Sequence, residues 1–219
     1  MTDILAWVLA LPVAYLIGAI PTGYLIGKVW RGVDVRKYGS GGTGFTNVMR
    51  TLGKPAAVTV LGIDIAKGVL PVFLAGLSTD VELLTALSAT MAVVGHMYPV
   101  YTKFQGGRGV ATAFGALLML SPIAAGAAAL GLLVVFITRY ISVGSLVGTL
   151  IASTTLVVLI VMGHHGLGYL AFAIPILFLI PVRHVGNILR LLTGTENRLQ
   201  VRARPKRRQK ARNSTERVG

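Results

Sequence analysis

Long apolar runs separated by short polar stretches dominate this chain. The first runs from Ile4 to Gly27. It has neither a positively charged leader nor a clear small-residue cleavage site, so it reads as a membrane helix and not a removable signal. Ala56 to Leu77 and Leu83 to Tyr101 follow, each long enough to span a bilayer. Val110 to Thr138 is too long for one straight span, and Ser121-Pro122 near its middle divides it, because proline favours a helix break. The first piece, Val110 to Leu120, would cover only about 17 Å at 1.5 Å per residue; the second is Ile123 to Thr138. Val143 to Met162 and Leu167 to Val182 complete the set. The pattern predicts an all-α polytopic membrane protein with seven transmembrane helices, one of them short.

Composition agrees. Of 219 residues, 54% are hydrophobic and only 13% charged, which excludes an ordinary soluble domain. The absence of cysteine excludes disulfides and a thiol acyl-enzyme. A net charge of +14 could suggest nucleic acid, but the charge lies in short loops and a terminal tail, not on a soluble basic face, so no nucleic-acid partner is expected.

The distribution of that charge predicts the topology. Lys28, Arg31, Arg36, Lys37, Arg50 and Lys54 fall in the first loop, Lys103 and Arg108 in the third, Arg139 in the fifth, and eleven cations follow the last span. Twenty of the twenty-one Lys and Arg residues thus share one side, Lys67 lying within a span. By the positive-inside rule the N-terminus is outside and the C-terminus cytoplasmic. Residues 193–219 include RARPKRRQKAR and few apolar positions. They read as a basic, disordered cytoplasmic tail beyond a membrane domain of residues 1–192. Attraction of this tail to anionic headgroups, worth about 1 kcal/mol per basic residue, is the functional alternative to a solvated tail.

Two glycine-rich cationic loops interrupt the apolar pattern: GSGGTGFTNVMR (Gly39 to Arg50) and KFQGGRGVAT (Lys103 to Thr112). Glycines let backbone N–H groups approach a ligand, and a nearby cation supplies the counter-charge for phosphate. In the first loop Ser40, Thr43, Thr46 and Asn47 stand among glycines including Gly44, and Arg50 follows Thr46 at helical spacing. A flexible connection is the plainer reading of such a stretch, and it is not a P-loop, having no GK[ST] ending. In the second, Gly106, Gly107, Arg108 and Gly109 open a helix at Val110, with Lys103 just before them. Helix N-termini attract anions through unpaired N–H groups and the dipole.

A third cluster, Arg183, His184, Asn187 and Arg190, ends the last span on the same side. A juxtamembrane arginine is usually a topology anchor, whereas His184 could act as a base or donate to a phosphoryl oxygen. Ser142 and Ser145 can reach the same region, or serve helix packing as small residues. Asp64 and Lys67, three apart within a span, read as a structural ion pair. His164 and His165 have no carboxylate or cysteine beside them, so no metal site is expected.

Three stretches, GSGGTGFTNVMRTLGK, GHMYPVYTKFQGGRGVAT and RHVGNILRLL, occur in order on one face. They resemble the three motifs of the PlsY family, the bacterial acyl-phosphate-dependent glycerol-3-phosphate acyltransferases. GAIPTGYLIGK and the Asp64, Lys67-Gly68 pattern resemble it too, so the similarity extends to about Leu192. The resemblance implies acyl transfer from acyl phosphate to glycerol 3-phosphate, giving lysophosphatidate, with no cofactor. It implies essential roles for Ser40, Arg50, His184 and Asn187, a site lined by Thr46 and Asn47, and phosphate binding at Gly106, Gly107 and Gly109. The chain departs from the family at Gly42, Phe45, Arg108 and Gly186; Arg108 replaces a lysine and presents a planar fork in place of a point charge. A monomer in the bacterial inner membrane is expected, in contact with membrane lipids, with its site on the cytoplasmic face.

The chemistry so implied is direct attack of the glycerol 3-phosphate hydroxyl on the acyl-phosphate carbonyl. The protein then mainly positions two anions and offsets their repulsion. Arg50, Arg108 and Lys103 would neutralise charge, and His184 or a substrate phosphate oxygen would take the proton. An acyl-CoA-dependent enzyme with a His-x-x-x-x-Asp motif is excluded, because none of the four histidines has aspartate five residues on. A transporter for phosphorylated compounds is the rival from another class, but it would need polar groups in several spans.

Overall fold

A computed structural model describes residues 2–78 and 80–199. The described residues form eleven α-helices with short 3₁₀ turns and no strand. They are α1 (Thr2–Ala19), α2 (Thr22–Arg31), α3 (Phe45–Leu52), α4 (Lys54–Ser78), α5 (Glu82–Met97), α6 (Val110–Leu120), α7 (Pro122–Ala128), α8 (Leu130–Thr138), α9 (Ile141–Val161), α10 (Leu170–Arg183) and α11 (Val185–Leu192). Among the described residues, four helical stretches are long and apolar enough to cross a membrane: Trp7–Arg31, Lys54–Ser78, Glu82–Thr102 and Ile141–Val161. A fifth is the pair Leu167–Arg183 and Val185–Leu192 if counted as one, bent by 54°. Val110–Leu120 and Pro122–Thr138 are shorter apolar helices.

The outward faces carry large apolar side chains, among them Leu132, Phe136, Ile137 and Val161, as a surface solvated by lipid requires. The interior is built instead from small residues. A methyl at Gly18 would overlap the backbone of α5 at Ala92, and one at Gly68 the Thr112 carbonyl of α6. Such close approach replaces the hydrophobic drive that lipid cannot supply between helices. Around these contacts Ala86, Ala89, Ala116, Ala152, Phe172 and Ile176 form the buried core.

Two breaks interrupt the apolar runs. Ser121-Pro122 divides α6 from α7 as the pattern predicts, with the Ser121 side chain accepting from the Ala124 N–H at 3.4 Å. The second break is not visible in the hydropathy: the first apolar run separates into α1 and α2 at Ile20-Pro21. Proline removes a donor from the ladder, and the Ile20 carbonyl is taken by the Lys67 ammonium of α4 at 2.9 Å. Lys67 also pairs with Asp64 at 2.9 Å, so this buried charge joins two elements while remaining neutralised.

Candidate active site

The first loop is built around Asn47. Its Oδ1 accepts from the Ser40 N–H at 3.0 Å, and its Nδ2 donates to the carbonyls of Val35 at 2.9 Å and Gly42 at 2.8 Å. Asn47 is buried, and these bonds spend its amide on shaping the loop. Gly39 and Gly41 have φ of 59° and 72°, which only glycine adopts cheaply, so the chain folds tightly around that amide. Ser40 is exposed on the loop, Thr43 is buried beneath it, and Gly44 caps α3. From α3 project Thr46, partly buried, and Arg50, exposed. Arg36 links this loop to the next by donating to the Thr102 carbonyl at 3.3 Å.

The second loop begins with two non-glycine residues in left-handed conformation, Lys103 (φ 53°) and Phe104 (φ 63°). Such geometry persists only where neighbours over-determine it. Here the Phe104 N–H donates to the Pro99 carbonyl at 2.9 Å, and the Thr102 hydroxyl to the Gln105 carbonyl at 3.0 Å. The Gly107 N–H donates to the His96 carbonyl at 3.1 Å. Gly109, at φ 81°, is the N-cap of α6, and a methyl there would meet the Met97 side chain. The Arg108 guanidinium lies within this framework; burial depresses its pKa to about 10 against the pull of Glu196, with Arg190, Arg50 and Arg183 adding to the depression.

The third cluster sits at the bend where α10 ends. His184 is the bend residue, fully buried, its Nδ1 2.8 Å from the Ile180 carbonyl. A carbonyl only accepts, so Nδ1 carries the hydrogen and Nε2 is the acceptor. That Nε2 is buried without a partner. Burial pushes the imidazole pKa down to about 4, opposed by the Ile180 bond and assisted by Arg108. One turn later Asn187 donates to the Glu196 carboxylate at 2.7 Å. Ser142 donates to the same oxygen at 3.0 Å, and Arg190 to the other at 2.8 Å. These bonds hold the Glu196 carboxyl below its ordinary pKa although burial pushes it up.

The structure therefore gathers Arg50, Arg108, His184, Asn187 and Ser142 into one electrostatic neighbourhood. Arg50 reaches the Asn197 carbonyl at 3.5 Å, and its charge is felt at Arg108. Lys103 stands exposed on the second loop, and Ser145 contributes its carbonyl to Thr149 within α9; among the described residues no hydrogen bond or ion pair joins either side chain to the cluster. Residues 193–199, read from sequence as tail, fold back over the site through Glu196 and through the Leu199 N–H, which donates to the Arg139 carbonyl at 2.7 Å. Residues 200–219 lie outside the described residues. Sequence reasoning missed Glu196 as a site residue. The available signal was its isolation, since it is the only acidic residue between Glu82 and Glu216. Among the described residues, no group of three or more His, Cys, Asp and Glu could hold a metal ion.

Fold and site together define an integral membrane protein with an arginine-rich cluster around a buried carboxylate at the end of its helical bundle. The family profile described as glycerol-3-phosphate acyltransferase matches residues 8–194. Glycerol-3-phosphate acyltransferase 2 of Moorella thermoacetica is 46% identical over 198 residues, covering 90% of this chain and 100% of that one. The glycerol-3-phosphate acyltransferase of Symbiobacterium thermophilum is 45% identical, covering 90% and 92%. Among solved structures, the glycerol 3-phosphate form of PlsY, an integral membrane glycerol 3-phosphate acyltransferase, superposes with a TM-score of 0.81 at 39% identity, covering 89% of this chain and 96% of that one. The chain belongs to the glycerol-3-phosphate acyltransferase family.

Proposed function

We propose that this membrane glycerol-3-phosphate acyltransferase uses acyl phosphate as donor and releases lysophosphatidate and phosphate. The observation that carries the reading is that Arg190 pairs with a single internal carboxylate, Glu196, at 2.8 Å, while Arg50, bonded to the neighbouring Asn197 carbonyl, and Arg108 lie near enough to feel its charge. Three guanidinium groups against one anion leave a surplus of positive charge, which suits two phosphate-bearing substrates held side by side. Bringing such anions together is the main task of this catalysis, because phosphate is already a competent leaving group.

In this reading the glycerol 3-phosphate hydroxyl oxygen attacks the acyl carbonyl carbon. The new ester C–O bond forms as the bond from acyl carbon to phosphate oxygen breaks, and the electron pair leaves with phosphate. His184 orients the hydroxyl through its unpartnered Nε2. An imidazole held near 4 is a weaker base than a phosphate oxygen with an ordinary second pKa of about 6. The hydroxyl proton therefore ends on phosphate. Ser40 and Arg50 act from the first loop, and the Gly106–Gly109 loop holds a phosphate at the N-terminus of α6.

The acyl chain lies in a lipid-facing groove of about 250 Å³ between α9 and α10, lined by Leu146, Val147, Thr149, Leu150, Leu177 and Pro181. Leu146 is one turn from Ser142 and Pro181 nearly one turn from His184, so the groove leads to the site. Seven spans follow from the apolar pattern, and an outside N-terminus and a cytoplasmic site in a bacterial cell membrane from the charge distribution.

The test is phosphate release by purified protein given acyl phosphate with and without glycerol 3-phosphate, beside Arg50→Ala and an acyl-CoA donor. Release that needs both substrates and collapses in Arg50→Ala is expected. Turnover with acyl-CoA in place of acyl phosphate would overturn the donor assignment, and no release by folded protein would favour transport.

A further inference from the structure

Arg183 has the appearance of a topology anchor in the sequence, but its guanidinium is not directed at headgroups or water. Its Nε donates to the Gly107 carbonyl at 3.1 Å and one terminal nitrogen donates to the Gly106 carbonyl, also at 3.1 Å. Its carbon stands 5.0 Å from the centre of the Tyr98 ring, a cation–π distance. Tyr98 is itself fixed, its carbonyl accepting from the Tyr15 hydroxyl at 2.8 Å. A planar fork thus grips two consecutive carbonyls of the glycine loop from a rigid platform.

From these contacts we propose that Arg183 is a positioning residue that orients the peptide groups of the phosphate loop. In a trans peptide the C=O and the following N–H point in opposite directions. The Gly106–Gly107 peptide is held at both ends, its oxygen by Arg183 and its N–H by the His96 carbonyl. The Gly107–Arg108 peptide is held by its oxygen alone, which aims the Arg108 N–H away from Arg183. Glycine peptides flip easily; with two carbonyls ungripped, the loop could present oxygens, and not N–H groups, to an incoming phosphate. The His96 ring closes the other side, since a methyl at Gly107 would overlap it. Arg183 also precedes His184 in the chain, so one backbone joins the phosphate loop to the group that orients the hydroxyl.

The inference rests on the reading that this loop receives a phosphate, and the experiment separates the two. Arg183→Lys keeps the positive charge, and with it any anchoring role, but cannot reproduce the fork. Initial rates are measured in detergent with each substrate varied, for Arg183→Lys, Tyr98→Leu and the reference Arg108→Ala, alongside thermal unfolding. Arg183→Lys is expected to raise the KM of one phosphate substrate about tenfold, as befits two weakened hydrogen bonds. The affected substrate is the one whose KM also rises in Arg108→Ala. The kcat stays within about threefold and the unfolding temperature is unchanged, because the loss is one of binding. Tyr98→Leu, which removes only the platform, shows the same pattern at about threefold, in keeping with a cation–π contact. Wild-type KM values for both substrates in Arg183→Lys and Tyr98→Leu would reduce Arg183 to an anchor and overturn the proposal. So would a KM rise that merely tracks a fall in unfolding temperature. Unchanged KM values in Arg108→Ala would instead remove the phosphate-loop reading on which the proposal stands.

Discussion

Replacing Glu196 by alanine removes the carboxylate that the third cluster is built around. In the native site it accepts from Asn187 at 2.7 Å, Ser142 at 3.0 Å and Arg190 at 2.8 Å. Asn187 and Ser142 are 4% and 2% exposed, so water cannot readily replace their lost partner. Each such orphaned donor costs about 1 kcal/mol or more. Arg190 is 37% exposed along its side chain and contributes less, because solvent screens it. The sum is about 2 to 3 kcal/mol, or roughly 4–12 °C in thermal unfolding at this chain length. Kinetically, Asn187 loses the bond that orients its amide, so kcat falls. The phosphate KM does not rise, because the site loses a negative charge. Glu196→Gln keeps the shape and one acceptor oxygen and should lose less than half as much stability. Thermal unfolding in detergent and two-substrate kinetics read both effects. Glu196→Ala with native stability and native kcat would refute the assignment of Glu196 to the site.

Other substitutions probe the supports beneath it. Gly107→Ala drives a methyl into the His96 ring, which Asp64 backs at 3.6 Å; it should raise a phosphate KM at least about tenfold through overpacking. Gly126→Ala meets nothing within 4 Å and serves as the neutral control in the same kinetic assay. Asp64→Asn strands a buried ammonium and should cost about 3–5 kcal/mol in unfolding experiments. Adding Lys67→Met removes the stranded charge and should recover most of this, because the Ile20 carbonyl still accepts from the Thr22 N–H at 2.9 Å. His184 should titrate near 4 and not near the ordinary 6.5, as read by the NMR shift of its ring proton in the substrate-free protein. Because the fold disfavours the imidazolium, this group's contribution to stability is intact above 6.5 and declines as the pH falls towards 4.

The features legible in sequence were those written in charge, glycine and proline. Cations on alternate loops gathered the three motifs on one side, and Ser121-Pro122 announced its break because proline cannot continue the ladder. The break at Ile20-Pro21 was hidden because hydropathy continues through it, and its compensation, Lys67, lies 47 residues away. Asn47 was identified correctly as part of the first loop, but its work is to fold that loop; only distances reveal that its amide is already engaged. Glu196 was concealed by composition, which assigned everything after residue 192 to a polar tail. A single carboxylate among many cations changes little in an average, yet three side chains converge on it.

The proposed mechanism requires one site to hold both phosphate-bearing substrates at once and to pass the acyl group directly between them. Initial rates measured with acyl phosphate and glycerol 3-phosphate varied together test it most directly. Double-reciprocal lines that intersect, as for a complex of enzyme with both substrates, are the predicted result. Parallel lines, the mark of a covalent acyl-enzyme formed before glycerol 3-phosphate binds, would contradict it.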